Sequence, residues 1–152
     1  MGDAKLLLKK WALDFVRNRD AFFRKIAKID EGKTDFTIIY KDGREQTYMA
    51  IPSLENAQES LSSFTSEQHV VIITLNNKQN RQKLSELWKI LSAYKLLTMY
   101  FVNPLSQGEK KWVLMPHVHD KVCDASSLAA GFNSLSELVE DISEEDANAK
   151  AV

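Results

Sequence analysis

At 152 residues and 44% apolar content, the chain is one domain of ordinary size, able to bury a core without disulfides or a structural metal. Its single cysteine, Cys123, excludes an internal bridge and points to a reducing compartment, and five glycines, none in a phosphate-loop pattern between strand and helix, exclude dinucleotide and P-loop nucleotide chemistry. The net charge of −1 conceals a split: residues 1–121 carry 19 Lys/Arg against 14 Asp/Glu, whereas residues 122–152 carry 1 against 7, so the body is mildly basic and the end acidic.

The opening, MGDAKLLLKKWALDF, has a run of only three leucines between charges, too short for a signal-peptide core or a membrane span. Its Met-Gly start lacks the Ser or Thr that a myristoylation signal prefers. A soluble cytoplasmic protein with no membrane partner is expected. Residues 3–28 read as a long helix whose apolar stripe is Leu8, Trp11, Ala12, Phe15 and Phe22 or Phe23, all expected to meet the sheet. Lys9, Lys10, Arg17, Arg19, Arg24 and Lys25 surround that stripe, and Asn18 and Asp20, weak helix formers, mark a place for a break.

Residues 24–29 are read as a first strand and Asp35 to Lys41, DFTIIYK, as a second. Asp42-Gly43 readily adopts the positive φ of a tight hairpin turn, so Arg44 to Ile51 returns antiparallel. Ser53 then caps a helix over residues 54–63. Everything else packs around His69 to Pro104, which reads as strand, helix, strand. Val70, Val71, Ile72, Ile73 and Leu75 are the near-continuous apolar run of a strand covered on both faces. Leu84, Leu87, Trp88, Leu91 and Tyr94 recur at helical spacing, and Leu97 to Val102 is a second buried strand, parallel to the first across a helical crossover.

After a turn at residues 105–109, Lys111 to Met115 is an edge strand that Pro116 interrupts, and His117 to Asp124 is expected to be irregular. Ser126 or Ser127 starts a short helix that Gly131 stops, and Ser134 caps a last helix over Leu135 to Ile142. The expected fold is α/β: a single domain over residues 1–142 with a mixed central sheet of about five to six strands in the order α-β-β-β-α-β-α-β-β-α-α, and helices on both faces. Residues 143–152 are expected to form an acidic flexible tail.

Asp35 stands ahead of FTIIY and the KDG hairpin in an α-β-β-β-α-β opening, and on these features residues 4–104 resemble the restriction-endonuclease-like family, which includes archaeal Holliday-junction resolvases and nucleases of the PD-(D/E)xK type. In that family an aspartate opens the second strand, and an acid and a lysine one residue apart end the third, so that two carboxylates and the lysine meet at a magnesium ion. Asp35 matches the first position. The third strand departs from the pattern, because Tyr48-Met49-Ala50-Ile51-Pro52 stands where the acid-x-lysine belongs. A shifted alignment puts Asn76-Asn77-Lys78 there instead, with asparagine in place of the acid. The resemblance therefore implies a degenerate catalytic motif. An active magnesium-dependent nuclease needs Glu55 or a partner subunit's residue to join Asp35 and Lys78, which leaves a homodimer open. Asp35 alone reads as a strand-start residue.

His117, His119, Asp120 and Cys123 form the second cluster. On an extended segment residues two apart face the same way, so both imidazoles meet one transition metal if the segment is a strand, with Asp120 or Cys123 closing the shell. The spacing is not a recognised zinc signature, and histidines in a loop are the plainer reading.

The function expected is a non-catalytic nuclease-like domain that binds nucleic acid or an acidic partner through a basic face, with Lys9, Lys10, Arg17, Lys78, Arg81 and Lys89 as the contacts and no cofactor. The alternatives are the magnesium-dependent nuclease and a protein–protein interaction or assembly module acting through Trp11, Phe22 and Phe23.

Overall fold

In the computed structural model, which describes residues 3–33, 35–106, 110–122 and 125–150, the elements in chain order are α1 (Asp3–Phe23), β1 (Ile26–Glu31), β2 (Asp35–Tyr40), β3 (Glu45–Ala50), a 3-10 turn (Leu54–Asn56) and α2 (Ala57–Leu61). They continue with β4 (Val70–Leu75), α3 (Lys78–Glu86), α4 (Trp88–Leu91), β5 (Leu97–Val102), β6 (Lys111–Leu114), α5 (Pro116–Val122), α6 (Ala125–Ser136) and α7 (Glu144–Lys150). All six residues of β4 are buried, as its unbroken apolar run requires. The strands form one six-stranded sheet in sequence order. β3, β4 and β5 are parallel, the β1–β2, β2–β3 and β5–β6 pairs are antiparallel, and β2 and β6 therefore run against the other four.

Two apolar layers enclose the sheet. On one face Leu8, Trp11, Ala12, Phe15 and Val16 of α1 pack on Phe36, Ile38, Tyr48, Val71, Ile73 and Tyr100, and Ala147 of α7 joins them. On the other, α2, α3, α4 and α6 bring Leu61, Leu84, Trp88, Leu91 and Phe132 onto Met49, Ile72, Met99, Phe101 and Trp112. Both crossovers, β3 to β4 and β4 to β5, lie on this second face, because two parallel connections that step the same way along a sheet with the same hand must share a side.

Several sequence expectations are corrected. α1 does not break at Asn18 or Asp20; it stops at Phe23, five residues before the expected end, and Asp20 is part of the stop. Its Oδ1 accepts from the amides of Lys25 (2.7 Å) and Ile26 (3.1 Å), while the Arg24 amide bonds to its carbonyl (2.7 Å). Arg24 takes the left-handed conformation (φ 52) that usually calls for glycine. Phe22 and Phe23 do not meet the sheet, being 89% and 62% exposed. The long crossover helix is divided at Leu87, whose ψ of 3° leaves the helical region.

The segment expected to be irregular, His117 to Asp124, is helical as far as it is described: Pro116 occupies the first position of α5, where the missing N–H costs nothing. Gly131 does not stop α6, which runs on to Ser136. The expected last helix over Leu135 to Ile142 does not form: Leu135 and Ser136 end α6, residues 137–139 turn, and 140–142 are irregular. Residues 144–150, read from sequence as tail, form α7 and dock on α1. Ser143 Oγ caps α7 by accepting from the Asp146 amide (3.1 Å), three acids fill its first turn, Ala147 is fully buried, and Asn148 Oδ1 accepts from the Ala4 amide (2.9 Å).

Candidate functional site

Asp35 opens β2 directly opposite Met49 of β3. The carboxylate is exposed and folds over Gly32, whose amide donates to the Asp35 carbonyl (2.8 Å); a side chain at position 32 would collide with it. Asp35 lines a pocket of about 260 Å³ with Lys5 of α1, the end of β3 (Met49, Ala50 and Ile51) and Asn56, Ser60 and Ser63 around α2. The strand end that would supply the acid and lysine of a nuclease supplies apolar side chains. Among the described residues lining the pocket Asp35 is the one carboxylate, so the donors do not fit a hard dication, which takes several anionic or carbonyl oxygens.

The other two residues of the nuclease alternative lie elsewhere. Glu55 lines a separate pocket with Gln79, Asn80, Lys83 and Glu86. Lys78 lines a third, with Arg81, Gln82 and Phe132.

Asn76, the position of the shifted alignment, is fully buried and holds three parts of the chain together. Its Nδ2 donates to the carbonyls of Ser136 (3.0 Å) and Val139 (2.9 Å) and lies 3.0 Å from Asp141 Oδ1, while its Oδ1 accepts from Trp112 Nε1 (2.8 Å). A carboxylate there would face two carbonyl oxygens with no proton to offer, so this environment selects the amide. Asn77 caps α3 through the Asn80 amide (2.9 Å) and donates to the Ile142 carbonyl (2.9 Å). Asn80, also buried, donates to the carbonyls of Pro52 (2.9 Å) and Leu75 (2.8 Å) and accepts from the Leu54 amide (3.0 Å). Asn76, Asn77 and Asn80 thus form a buried polar knot tying the ends of β3 and β4 to the α6–α7 connection, with Lys78 exposed beside it.

The six basic residues read as one binding face are divided in two ways. Lys9, Lys10 and Arg17 ride on α1, over one face of the sheet, whereas Lys78, Arg81 and Lys89 ride on α3 and α4, over the opposite face. Three of them also spend their charge internally. Lys9 Nζ pairs with Glu31 (3.2 Å) and donates to the Gly32 carbonyl (2.7 Å), Arg17 reaches Glu31 (3.4 Å), and Arg81 grips Asp141 through both terminal nitrogens (3.1 and 3.2 Å). Lys10, Lys78 and Lys89 are exposed and make no ion pair among the described residues.

The histidine cluster does not converge. On α5, residues two apart point to different sides, and the groups are separately engaged: His117 Nδ1 bonds to the Ser92 carbonyl (2.9 Å), His119 Nδ1 lies 2.9 Å from the Met115 carbonyl, and Asp120 accepts from Trp88 Nε1 (2.8 Å). Cys123 lies outside the described residues. Among the described residues no three His, Cys, Asp or Glu side chains are placed to hold a metal ion. Nor is any described helix long and apolar enough to cross a membrane.

Sequence reading overlooked a cavity of about 360 Å³ beside the carboxyl end of α1. Arg19, Asp20 and Phe23 of that helix, Lys25, Tyr40 of β2 and Arg44 of the hairpin line it. Burial pushes the Tyr40 phenol above its ordinary range, and its hydroxyl donates to Gln46 Oε1 (2.7 Å). The Arg44 amide, donating to the Asp42 carboxylate (3.0 Å), holds that carboxyl below the usual range. The pairing of exposed aromatics with flanking cations was present in the string Phe22-Phe23-Arg24-Lys25, but an apolar stripe at helical spacing disguised it. Comparisons with protein-family models, curated proteins and solved structures found no match to this chain.

Proposed function

We propose that the chain is a restriction-endonuclease-like domain that has lost its metal centre and binds nucleic acid in the cytoplasm without cutting it. The observation that carries this reading is the Asp35–Met49 pair: an aspartate opens the second strand as in the nucleases, and its neighbour on the third strand is a thioether with only apolar residues following. The α-β-β-β-α-β opening, with the third and fourth strands parallel, supports the family assignment. Phosphate contacts come from the exposed cations that make no ion pair among the described residues rather than from Lys9, Arg17 and Arg81, whose partners are already within the fold. Such contacts are sequence-independent and weaken with salt. Incubation with labelled plasmid, branched DNA and single strands in magnesium or manganese tests the proposal. Retention of intact nucleic acid is expected, and divalent-dependent cleavage that disappears in Asp35→Ala would overturn it.

A further inference from the structure

The carboxyl end of α1 carries two adjacent aromatic rings in water. Phe22 and Phe23 have centroids 6.5 Å apart at 51°, so each turns a separate face outward. Neither ring belongs to either apolar core cluster, and a pair of large exposed rings is not the scattered single leucine that any surface shows. Cations lie on the Phe23 side of the pair. Lys25 Nζ sits 5.7 Å from the Phe23 centroid, Arg44 lies over Tyr40 at 5.5 Å, and Arg19 and Lys25 line the adjoining 360 Å³ cavity. Arg24 stands exposed between the rings and Lys25, in a left-handed conformation that glycine would adopt at lower cost.

The acids of this corner are largely committed. Asp20 Oδ1 is taken by two backbone amides and Asp42 by Arg44, leaving Glu45 as the remaining carboxylate on the cavity wall. With Arg44 paired to Asp42, the four cations Arg19, Arg24, Lys25 and Lys41 against Asp20 and Glu45 leave the corner with a net positive charge. Separate ring faces with cations beside them are the two parts of a stacking platform for an unpaired strand: bases lie on the rings because every base has a π-face, and phosphates follow the cations. A duplex offers no free base face to such rings.

We infer that the corner formed by Phe22, Phe23, Arg24, Lys25, Arg19 and Arg44 is a binding site for single-stranded nucleic acid. This rests on the nucleic-acid reading above and adds the strand form and the place. The test uses the full chain and fluorescence anisotropy with a labelled oligothymidylate and a duplex of equal length. Phe22→Leu with Phe23→Leu keeps apolar area but removes both rings; it is expected to weaken single-strand binding by about tenfold or more and duplex binding by less than about twofold. Phe22→Tyr with Phe23→Tyr is expected to retain wild-type affinity. Both pairs are exposed, and unchanged melting temperatures confirm that the variants fold.

Equal single-strand binding by the leucine variant and the wild type would overturn this site while leaving the proposed function standing. Displacement of the strand by polyglutamate of matched charge, as effectively as by unlabelled strand, would overturn it in favour of an acidic protein partner. Absence of wild-type binding to either nucleic acid at about 50 mM salt, where phosphate contacts are strongest, would remove the proposed function and this site together.

Discussion

Asn76 and Trp112 meet inside the protein, the indole Nε1 donating to the amide oxygen at 2.8 Å, with both side chains buried. The bond joins the end of β4 to the edge strand β6, and the same amide's nitrogen binds the carbonyls that close α6. A motif that in sequence resembles a displaced catalytic segment is thereby a structural joint.

Asn76→Ala strands the Trp112 N–H and the Val139 carbonyl, while the Ser136 carbonyl keeps the Val139 amide (3.3 Å). Each unsatisfied buried group costs about 1–3 kcal/mol, so a loss of about 3 kcal/mol or more is expected in urea unfolding. Asn76→Asp, which restores the acid of the shifted alignment, is expected to destabilise similarly and to produce no magnesium-dependent cleavage. A stable, active Asn76→Asp protein would contradict the structural role of Asn76.

Trp88 is buried against Phe132, with its N–H on Asp120, whereas Lys89 is exposed. Trp88→Ala is expected to destabilise by about 3–5 kcal/mol and Lys89→Ala by no more than about 0.5 kcal/mol. Equal melting temperatures for the two variants would contradict the facing of α4.

The Tyr48 hydroxyl is buried near the Arg19 guanidinium, but no described group makes a hydrogen bond of regular geometry to it. Burial, helped by Tyr100, pushes its phenol far above the ordinary range, and the Arg19 guanidinium pulls the other way. The folded state therefore holds this proton more tightly than the unfolded chain. Its contribution to stability is complete below about pH 10, the unfolded value, and is lost as pH rises from there toward the raised folded value. Tyr48→Phe is expected to leave stability at pH 7 unchanged or raised by about 1 kcal/mol, since it removes a hydroxyl with no regular hydrogen bond, and to lessen the fall between pH 9.5 and about 11. Parallel stability curves for both proteins across that range would contradict the assignment.

α7 is held by its cap, by the small buried contact of Ala147 and by the Asn148–Ala4 bond. Ser143→Ala is expected to cost about 1 kcal/mol, and Ala147→Leu, which forces extra volume between α7 and α1, about 1–3 kcal/mol. Wild-type melting of the leucine variant would return residues 144–150 to the solvated tail that their composition suggests.

What the sequence made legible follows from which interactions are local. The β4 run, the Asp42-Gly43 turn (Gly43 φ 92) and the Leu84–Leu91 stripe each carry their determinants within a few residues, and all three match the structure. The cap of α7 was also local, Ser143 followed by Glu144, Glu145 and Asp146, but the acidic composition masked it. Other features depend on distant partners. Nothing near Asn76 announces Ser136, Val139 or Trp112, and the exposure of Phe22 depends on the chain turning away at Arg24 before the helix reaches another sheet position. The division of the basic residues between opposite faces emerged only once the crossovers were placed.

Binding without cutting is tested by one titration of the 152-residue chain into labelled single-stranded, duplex and branched DNA at about 50 mM salt with magnesium present, reading anisotropy and strand integrity in the same samples. Saturable binding that weakens steeply as salt rises, with every strand intact, is expected. Cleavage that requires magnesium and is abolished by Asp35→Ala, or no binding to any of the three, would contradict it.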